Sequence, residues 1–312
     1  MFSLLLLSFF TIVELNCENL FDFRHDEMKD DWAFTPEGSH CWTKSRYWHK
    51  LDQTAKTILS CADSTDCSPS LVALCEVEND SVLRDLTRRS LLRTMRYEYF
   101  ITQSPDVRGI DVALLYDPLT FHPLSSHSLR VTMPQGFRPT RDILYVSGKI
   151  VTDDTLHVFV VHAPSKYGGD SFTRPARMAV MERLMEGIDS LRAENSKARI
   201  IVTGDFNEER ESKVLCAIDD SRLCHVSKKA TGLNGALGTY RYRGHWGSID
   251  HFFISSSLLP FVHTVLVNDA PFLLEEETKY GGVKPRRTFV GYRYQYEGFS
   301  DHLPLILRFS FR

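Results

Sequence analysis

The sequence predicts an α/β (α+β) domain in which sheets pack on one another and helices flank them. Apolar runs of strand length recur along the whole chain, amphipathic helical stretches are few, and no repeat, low-complexity tract or Pro/Gly/Ser linker divides its 312 residues. Phe9–Asn16 (FFTIVELN) reads as a buried first strand. Residues 46–62 then place Leu51, Ala55, Ile58 and Ala62 on one helical face. LVALCE (71–76) is a second strand, and a helix after Asn79 uses Val82, Leu83 and Leu86. YEYFIT (97–102), DVALLY (111–116), ILYVSGKI (143–150) and LHVFVVH (156–162) follow as strands. Residues 174–194 form a helix with Met181, Leu184, Ile188 and Leu191 on one face and Thr173 and Pro175 as start signals. RIIVTGDF (199–206), SIDHFFIS (248–255) and LPLILRFSF (303–311) complete the strands.

Composition narrows the function classes. With 43% hydrophobic, 12% aromatic and 25% charged residues, the chain is neither disordered nor collagen-like. Its 37 basic and 40 acidic residues leave a formal charge of −3, which excludes a blanket basic surface but not a local basic patch. Seven cysteines without a C-x-x-C pair form no metal pattern, and Cys41, Cys61 and Cys67 lie close enough in sequence for one bridge.

The N-terminal run MFSLLLLSFFTIV is too short to span a membrane, because Glu14 ends it. No Lys or Arg precedes Arg24, and no A-x-A cleavage pattern is present. We therefore read residues 1–9 as an apolar leader, either a signal remnant or the lead-in to a strand, and 10–312 as one domain with no transmembrane span. A genuine start implies a cytoplasmic protein, and a truncated signal implies an exported one.

Several strands end in a polar residue able to do chemistry. Strand 199–206 delivers Asp205 and Asn207, strand 71–76 ends on Glu76, and strand 9–16 ends on Asn16 with Glu18 just beyond. Strand 156–162 ends on His162, strand 248–255 carries Asp250, and Ser300, Asp301 and His302 precede the last strand. Carboxylate and amide oxygens suit Mg²⁺, Mn²⁺ or Ca²⁺, whereas Zn²⁺ sites recruit Cys and His. Phosphoester hydrolysis needs a charge-neutralising cation, a base for water and donors for the developing oxyanion, and this set supplies all three. No G-x-S-x-G nucleophile pattern competes.

The segments ELNCENLFD, LCEVEN, RGIDVALLY, VHAPS, GDFN, SIDH and SDH stand in the order found in the endonuclease/exonuclease/phosphatase superfamily, which the chain resembles from about Phe10 to its C-terminus. RGIDVALLYDP and GTYRYRGHW look especially like a bacterial branch of that group. The resemblance implies a four-layer α/β/β/α sandwich of two mixed sheets, Mg²⁺ or Mn²⁺ as cofactor, and a monomeric phosphoester hydrolase. Its implied metal shell is Glu76 with Asn16, Glu18 and Asp301. Asp205 resembles the aspartate that orients or deprotonates water, and Asn207 the amide that donates to phosphate oxygens. His302 resembles the histidine at the scissile phosphate, with Asp250 fixing its tautomer, and His162 resembles a second, DNase I-like histidine.

Blander roles stand beside these. A strand-end carboxylate can cap a loop or pair with an Arg, an Asp–His pair can tie two strands, and His162 can be a satisfied core histidine. Arg108 and Arg141 are candidate clamps for substrate phosphate or ordinary salt bridges. The run at 280–298, which mixes Arg286, Arg287 and Arg293 with Tyr292, Tyr294 and Tyr296, suits either nucleic acid or packing on the sheet. Trp32, Trp42 and Trp48 either wall the cleft or fill the core. The substrate expected first is nucleic acid, cut in endonuclease fashion. A lipid, inositol phosphate or other small phosphoester is the alternative, and a non-catalytic binding module is the competing class.

Overall fold

The computed structural model describes residues 9–63, 67–219 and 223–311. Most of the proposed leader lies outside these residues, while Phe9 and Phe10 open the first strand. The first half contributes β1 (Phe9–Leu20), α1 (Lys44–Leu59), β2 (Leu71–Val77), α2 (Asp80–Arg88), β3 (Glu98–Ile101) and β4 (Asp111–Tyr116). The second contributes β5 (Phe121–Leu129), β6 (Ile143–Ile150), β7 (Thr155–His162), α3 (Asp170–Glu194), β8 (Arg199–Asp205), α4 (Lys213–Asp219) and β9 (Cys224–His225). A hairpin, β10 (Tyr240–Tyr242) and β11 (His245–Gly247), precedes β12 (Asp250–Ile254) and β13 (Val262–Val267). Two more hairpins, β14 (Leu274–Glu276) with β15 (Val283–Pro285) and β16 (Phe289–Val290) with β17 (Arg293–Tyr294), lead into β18 (Leu305–Ser310).

Two six-stranded mixed sheets result, ordered β13-β18-β1-β2-β4-β3 and β5-β6-β7-β8-β12-β9. Each has one parallel pair at its centre, β1 with β2 and β7 with β8, and antiparallel neighbours elsewhere. The central strands read as continuous apolar runs because both of their faces are buried. In β1, Phe10 and Ile12 face the second sheet, meeting Val158, Val160 and Phe252, whereas Val13 and Leu15 face Leu51 and Ile58 of α1. On the far side, Val180, Met181, Leu184 and Ile188 of α3 pack on Phe159, Ile200 and Val202. The layers are therefore α/β/β/α, as the resemblance implied.

Helix starts follow local chemistry. Thr43 caps α1 and Asn79 caps α2, its Oδ1 accepting Val82 N at 3.0 Å. Helix α3 begins at Asp170, ahead of the expected 174, because Asp170 in its first turn pairs with Arg174 and, at 2.6 Å, with Arg177. Edge strands β5 and β13 escaped the sequence reading, since β5 (FHPLSSHSL) is mostly exposed and lacks apolar alternation. All seven cysteines are free thiols, so the bridge considered among Cys41, Cys61 and Cys67 is not formed. Among the described residues no helix is long and apolar enough to cross a membrane.

Gly204 marks where β8 crowds β7: its φ is +137° and an added Cβ would fall 1.8 Å from the Val161 carbonyl oxygen. Gly136, at φ +91°, has open space around it. Gly204→Ala should cost on the order of 3 kcal/mol or more in urea unfolding, and Gly136→Ala about 1 kcal/mol. Equal costs for the two would refute the crowding argument.

Candidate active site

The carboxyl ends of the two parallel pairs meet at one edge of the sandwich. Asn16 and Glu76 come from β1 and β2, and His162 and Asp205 from β7 and β8. Asp250 opens β12 directly opposite Asp205, and Asp301 and His302 lead into β18, which runs antiparallel to β1. Local backbone irregularity turns these side chains toward the cleft. Ladder register shifts around Glu76 and between Asn16 and Leu20, and Glu18, Asn19, Glu76 and Asn207 all have φ between 50° and 62°. Left-handed backbone at four non-glycine residues gathers at this one edge.

Asp205 is the hub. Its Oδ2 accepts Asn16 Nδ2 at 3.0 Å and Asn207 Nδ2 at 3.2 Å, and its Oδ1 accepts Asn207 N at 2.8 Å. Asn207 Nδ2 also lies 3.1 Å from the Ala163 carbonyl oxygen. Burial, with the nearby Asp250 charge, pushes the Asp205 carboxyl up to about 7. His162 is buried, with Nε2 3.7 Å from Asp205 and 3.9 Å from Glu76. Burial, followed by the Arg141 and Arg108 charges, holds it well below its ordinary range and therefore neutral.

His302 has the opposite character. Its Nδ1 lies 2.9 and 3.1 Å from the two Asp250 oxygens, and the Thr239 hydroxyl donates to Asp250 from behind. Burial disfavours its imidazolium, but Asp250, through charge and hydrogen bond, outweighs that and holds His302 well above its ordinary range. One ligand atom each from Asp205, Asp250 and His302 falls within 4.8 Å of the others, a set able to hold a metal ion. Glu76 offers a second oxygen-rich position: Oε2 accepts Asn19 N at 2.8 Å, while Oε1 has only Arg108 at 3.7 Å and His162 at 3.9 Å. Carboxylate oxygens predominate in this donor set, which fits a hard divalent cation.

The remaining predicted residues divide. Asp301 pairs with Arg287 at 2.9 Å, and Glu18 is buried under the main-chain N–H groups of Thr288 and Phe289. Arg108 is half exposed at the rim and donates to Asn19 Oδ1. Arg141 is buried, with Nη1 3.1 Å from Asp106 and Nη2 3.0 Å from the Ala163 carbonyl oxygen, so it braces the wall that also holds Asn207. Trp42 is core, its Nε1 donating to Phe21 O at 3.0 Å, while Trp32 is exposed beside His25. In the 280–298 run Tyr294 is buried against Trp42, and Tyr292 and Tyr296 are exposed.

Sequence reasoning passed over Lys50, Thr239 and Glu14. Glu14 sits two residues before Asn16 on the same face of β1, fully buried, and neither of its oxygens finds a hydrogen-bond partner of ordinary length. A charged residue inside an apolar strand was the available signal. Burial first, then Asp250, raises its carboxyl well above the usual range.

The model of the Endonuclease/Exonuclease/phosphatase family matches residues 11–310. No curated protein sequence matches the chain. An endonuclease/exonuclease/phosphatase family protein from Bacteroides thetaiotaomicron superposes with a TM-score of 0.62 at 17% identity, covering 98% of this chain and 98% of its own. A mannosyl-6-phosphatase from B. thetaiotaomicron VPI-5482 gives 0.62 at 17%, covering 96% and 99%. The catalytic domain of human Nocturnin with bound sulfate gives 0.57 at 16%, covering 97% and 94%. At these identities the likeness is one of fold.

Because the folded state holds Glu14 protonated, stability linked to this group is full below the ordinary carboxylate range. It falls as pH rises toward the raised value. Glu14→Leu should therefore stabilise the metal-free protein by about 1–3 kcal/mol near neutral pH, and more at pH 8 than at pH 5. Urea midpoints at both pH values test this, and a gain independent of pH would contradict it. Asp250→Asn should lower the titration midpoint of the His302 imidazole, read by NMR, whereas an unmoved midpoint would detach the pair.

Proposed function

The chain belongs to the endonuclease/exonuclease/phosphatase family, whose members hydrolyse phosphoesters, and we propose that it cleaves its ester by in-line attack of water on phosphorus, dependent on a divalent cation. The observation that carries this reading is the Asp205 hub, a buried carboxylate held by two amides between a neutral and a charged histidine. Glu76 and Asp301, with Asn16 beside them, would hold Mg²⁺ or Mn²⁺, which when bound neutralises charge developing on the phosphate and the leaving oxygen.

The chain's own groups supply the rest. Asp205, with its carboxyl near 7, orients water and accepts its proton. Asn207, anchored through its main-chain N–H to Asp205, exchanges its amide contact with the Ala163 carbonyl for a phosphate oxygen. His302, kept charged by Asp250, donates to the phosphate from one side, and neutral His162 donates from the other. Arg108, at the rim, meets an outer oxygen, and Arg141 keeps the Ala163 wall in place. On the substrate side, exposed Trp32, Tyr292 and Tyr296 support an endonuclease-type phosphodiesterase whose rings stack on bases. A small phosphoester is the second reading, favoured because Arg241 and Arg286 are paired with Glu277 and Glu297 rather than left open to a polyanion.

The test is a panel of plasmid DNA, single-stranded RNA, abasic duplex, sphingomyelin and bis-p-nitrophenyl phosphate, each assayed with Mg²⁺, with Mn²⁺ and with EDTA. Turnover should need the cation, and Asp205→Ala and His302→Ala should each lower kcat by roughly 10²–10⁴-fold. Metal-independent turnover, or unchanged rates in both variants, would sink the mechanism. Cleavage of a polynucleotide should fall steeply as salt rises from about 50 to 200 mM, while a flat response would favour the small ester.

A further inference from the structure

Arg287 is placed unlike the other cations of the site. Its Nε lies 3.4 Å from Glu18 Oε1 and its Nη2 2.9 Å from Asp301 Oδ2, so one edge of the planar guanidinium spans two carboxylates. Nη1 has no partner among the described residues, and the side chain is 43% exposed. Behind it, Lys50 is fully buried and donates to the Thr288 hydroxyl and the Phe299 carbonyl oxygen. Glu18 is correspondingly engaged on both oxygens. Oε1 accepts from Arg287 and from Phe289 N at 3.3 Å, Oε2 accepts from Thr288 N, and its side chain is 5% exposed. Three of a carboxylate's roughly four lone-pair positions are thus engaged by donors fixed in the fold. Glu76 offers the contrast, with an Oε1 that meets no donor within hydrogen-bond distance.

Resting on the hydrolase reading above, we propose that Arg287 is a fixed cation of the centre. It provides, at the Glu18 end, the positive charge that a second divalent ion would bring, and it offers Nη1 to a non-bridging oxygen of the substrate phosphate. Glu18 then anchors Arg287 and the 287–289 segment instead of ligating metal, and the centre takes one divalent ion, on the Glu76 side. A second ion beside Glu18 would have to compete with two main-chain donors for a buried carboxylate. It would also face the guanidinium and the Lys50 ammonium in a water-poor setting, where like charges repel strongly. A fixed cation needs no recruitment from solution and no reorganisation at the moment of reaction.

The test counts Mn²⁺ on the metal-free protein by EPR of the unbound ion, with kcat measured in parallel. One ion per chain is expected. Glu76→Gln should weaken its binding more than tenfold, and Glu18→Gln should leave its affinity within about threefold, as expected when an anchor held by fixed donors is not a ligand. Arg287→Met should keep the ion yet lower kcat by roughly 10²-fold, with Arg287→Lys recovering part of the loss. If Glu18→Gln does not fold, the wild-type count and the Arg287 pair decide. Two ions per chain would overturn the proposal and leave the hydrolase reading standing, whereas no bound ion would overturn both. Wild-type kcat in Arg287→Met, or loss of the ion from that variant, would also overturn it.

Discussion

The hydrogen bond from Asn16 to Asp205 joins the ends of two strands 189 residues apart, one in each sheet, and the geometry of the cleft depends on it. Asn16 closes the parallel pair of the first sheet and Asp205 that of the second, so this contact fixes how far apart the two carboxyl ends lie. It exists because both sheets place their single parallel pair at the centre, where strands are longest held and least free to slip. Everything downstream reads off that spacing: His162 between Glu76 and Asp205, Asp250 opposite Asp205, and His302 against Asp250.

Concentrating carboxylates at one edge is electrostatically unfavourable, and the fold answers with two devices. Burial and mutual repulsion favour the protonated form of Glu14 and raise Asp205 and Glu18 to about 7. Cations are also interleaved among the acids: His302 on Asp250, Arg287 on Asp301 and Glu18, Arg108 beside Glu76. The edge nonetheless keeps unmatched oxygen, chiefly on Glu76, and that residual negative potential is what a hard cation would relieve. The near-neutral charge of the whole chain therefore conceals a strongly polarised edge.

What the sequence disclosed follows from which interactions are local. Central strands such as 71–76 and 199–206 announced themselves because burial on both faces demands continuous apolar residues, and their polar final residues stood out against that background. Asn79 was legible as a helix cap because capping is settled within three residues. The edge strand at 121–129 was not, since an exposed strand needs a neighbour rather than a pattern. Arg141 illustrates the same limit at the site: its type suits a phosphate clamp, but Asp106 and the Ala163 carbonyl, known only from the fold, occupy its guanidinium. Lys50 and Glu18 met through the 287–289 segment, a contact no spacing could reveal.

The pairing of β1 with β18 carries a consequence for the order of events on the ribosome. Phe9 sits opposite Ser310, so β1 receives one of its two neighbours only once β18 is made. Asp301 and His302 arrive with that final strand. A nascent or prematurely terminated chain lacking them would leave one edge of a central strand unpaired and lack half of the Asp250–His302 pair. The second sheet, contiguous from β5 to β12, has no such wait. Vectorial synthesis therefore leaves the first sheet open at its middle until β18 is made, so that the barrier to aggregation and the reactive centre are completed together.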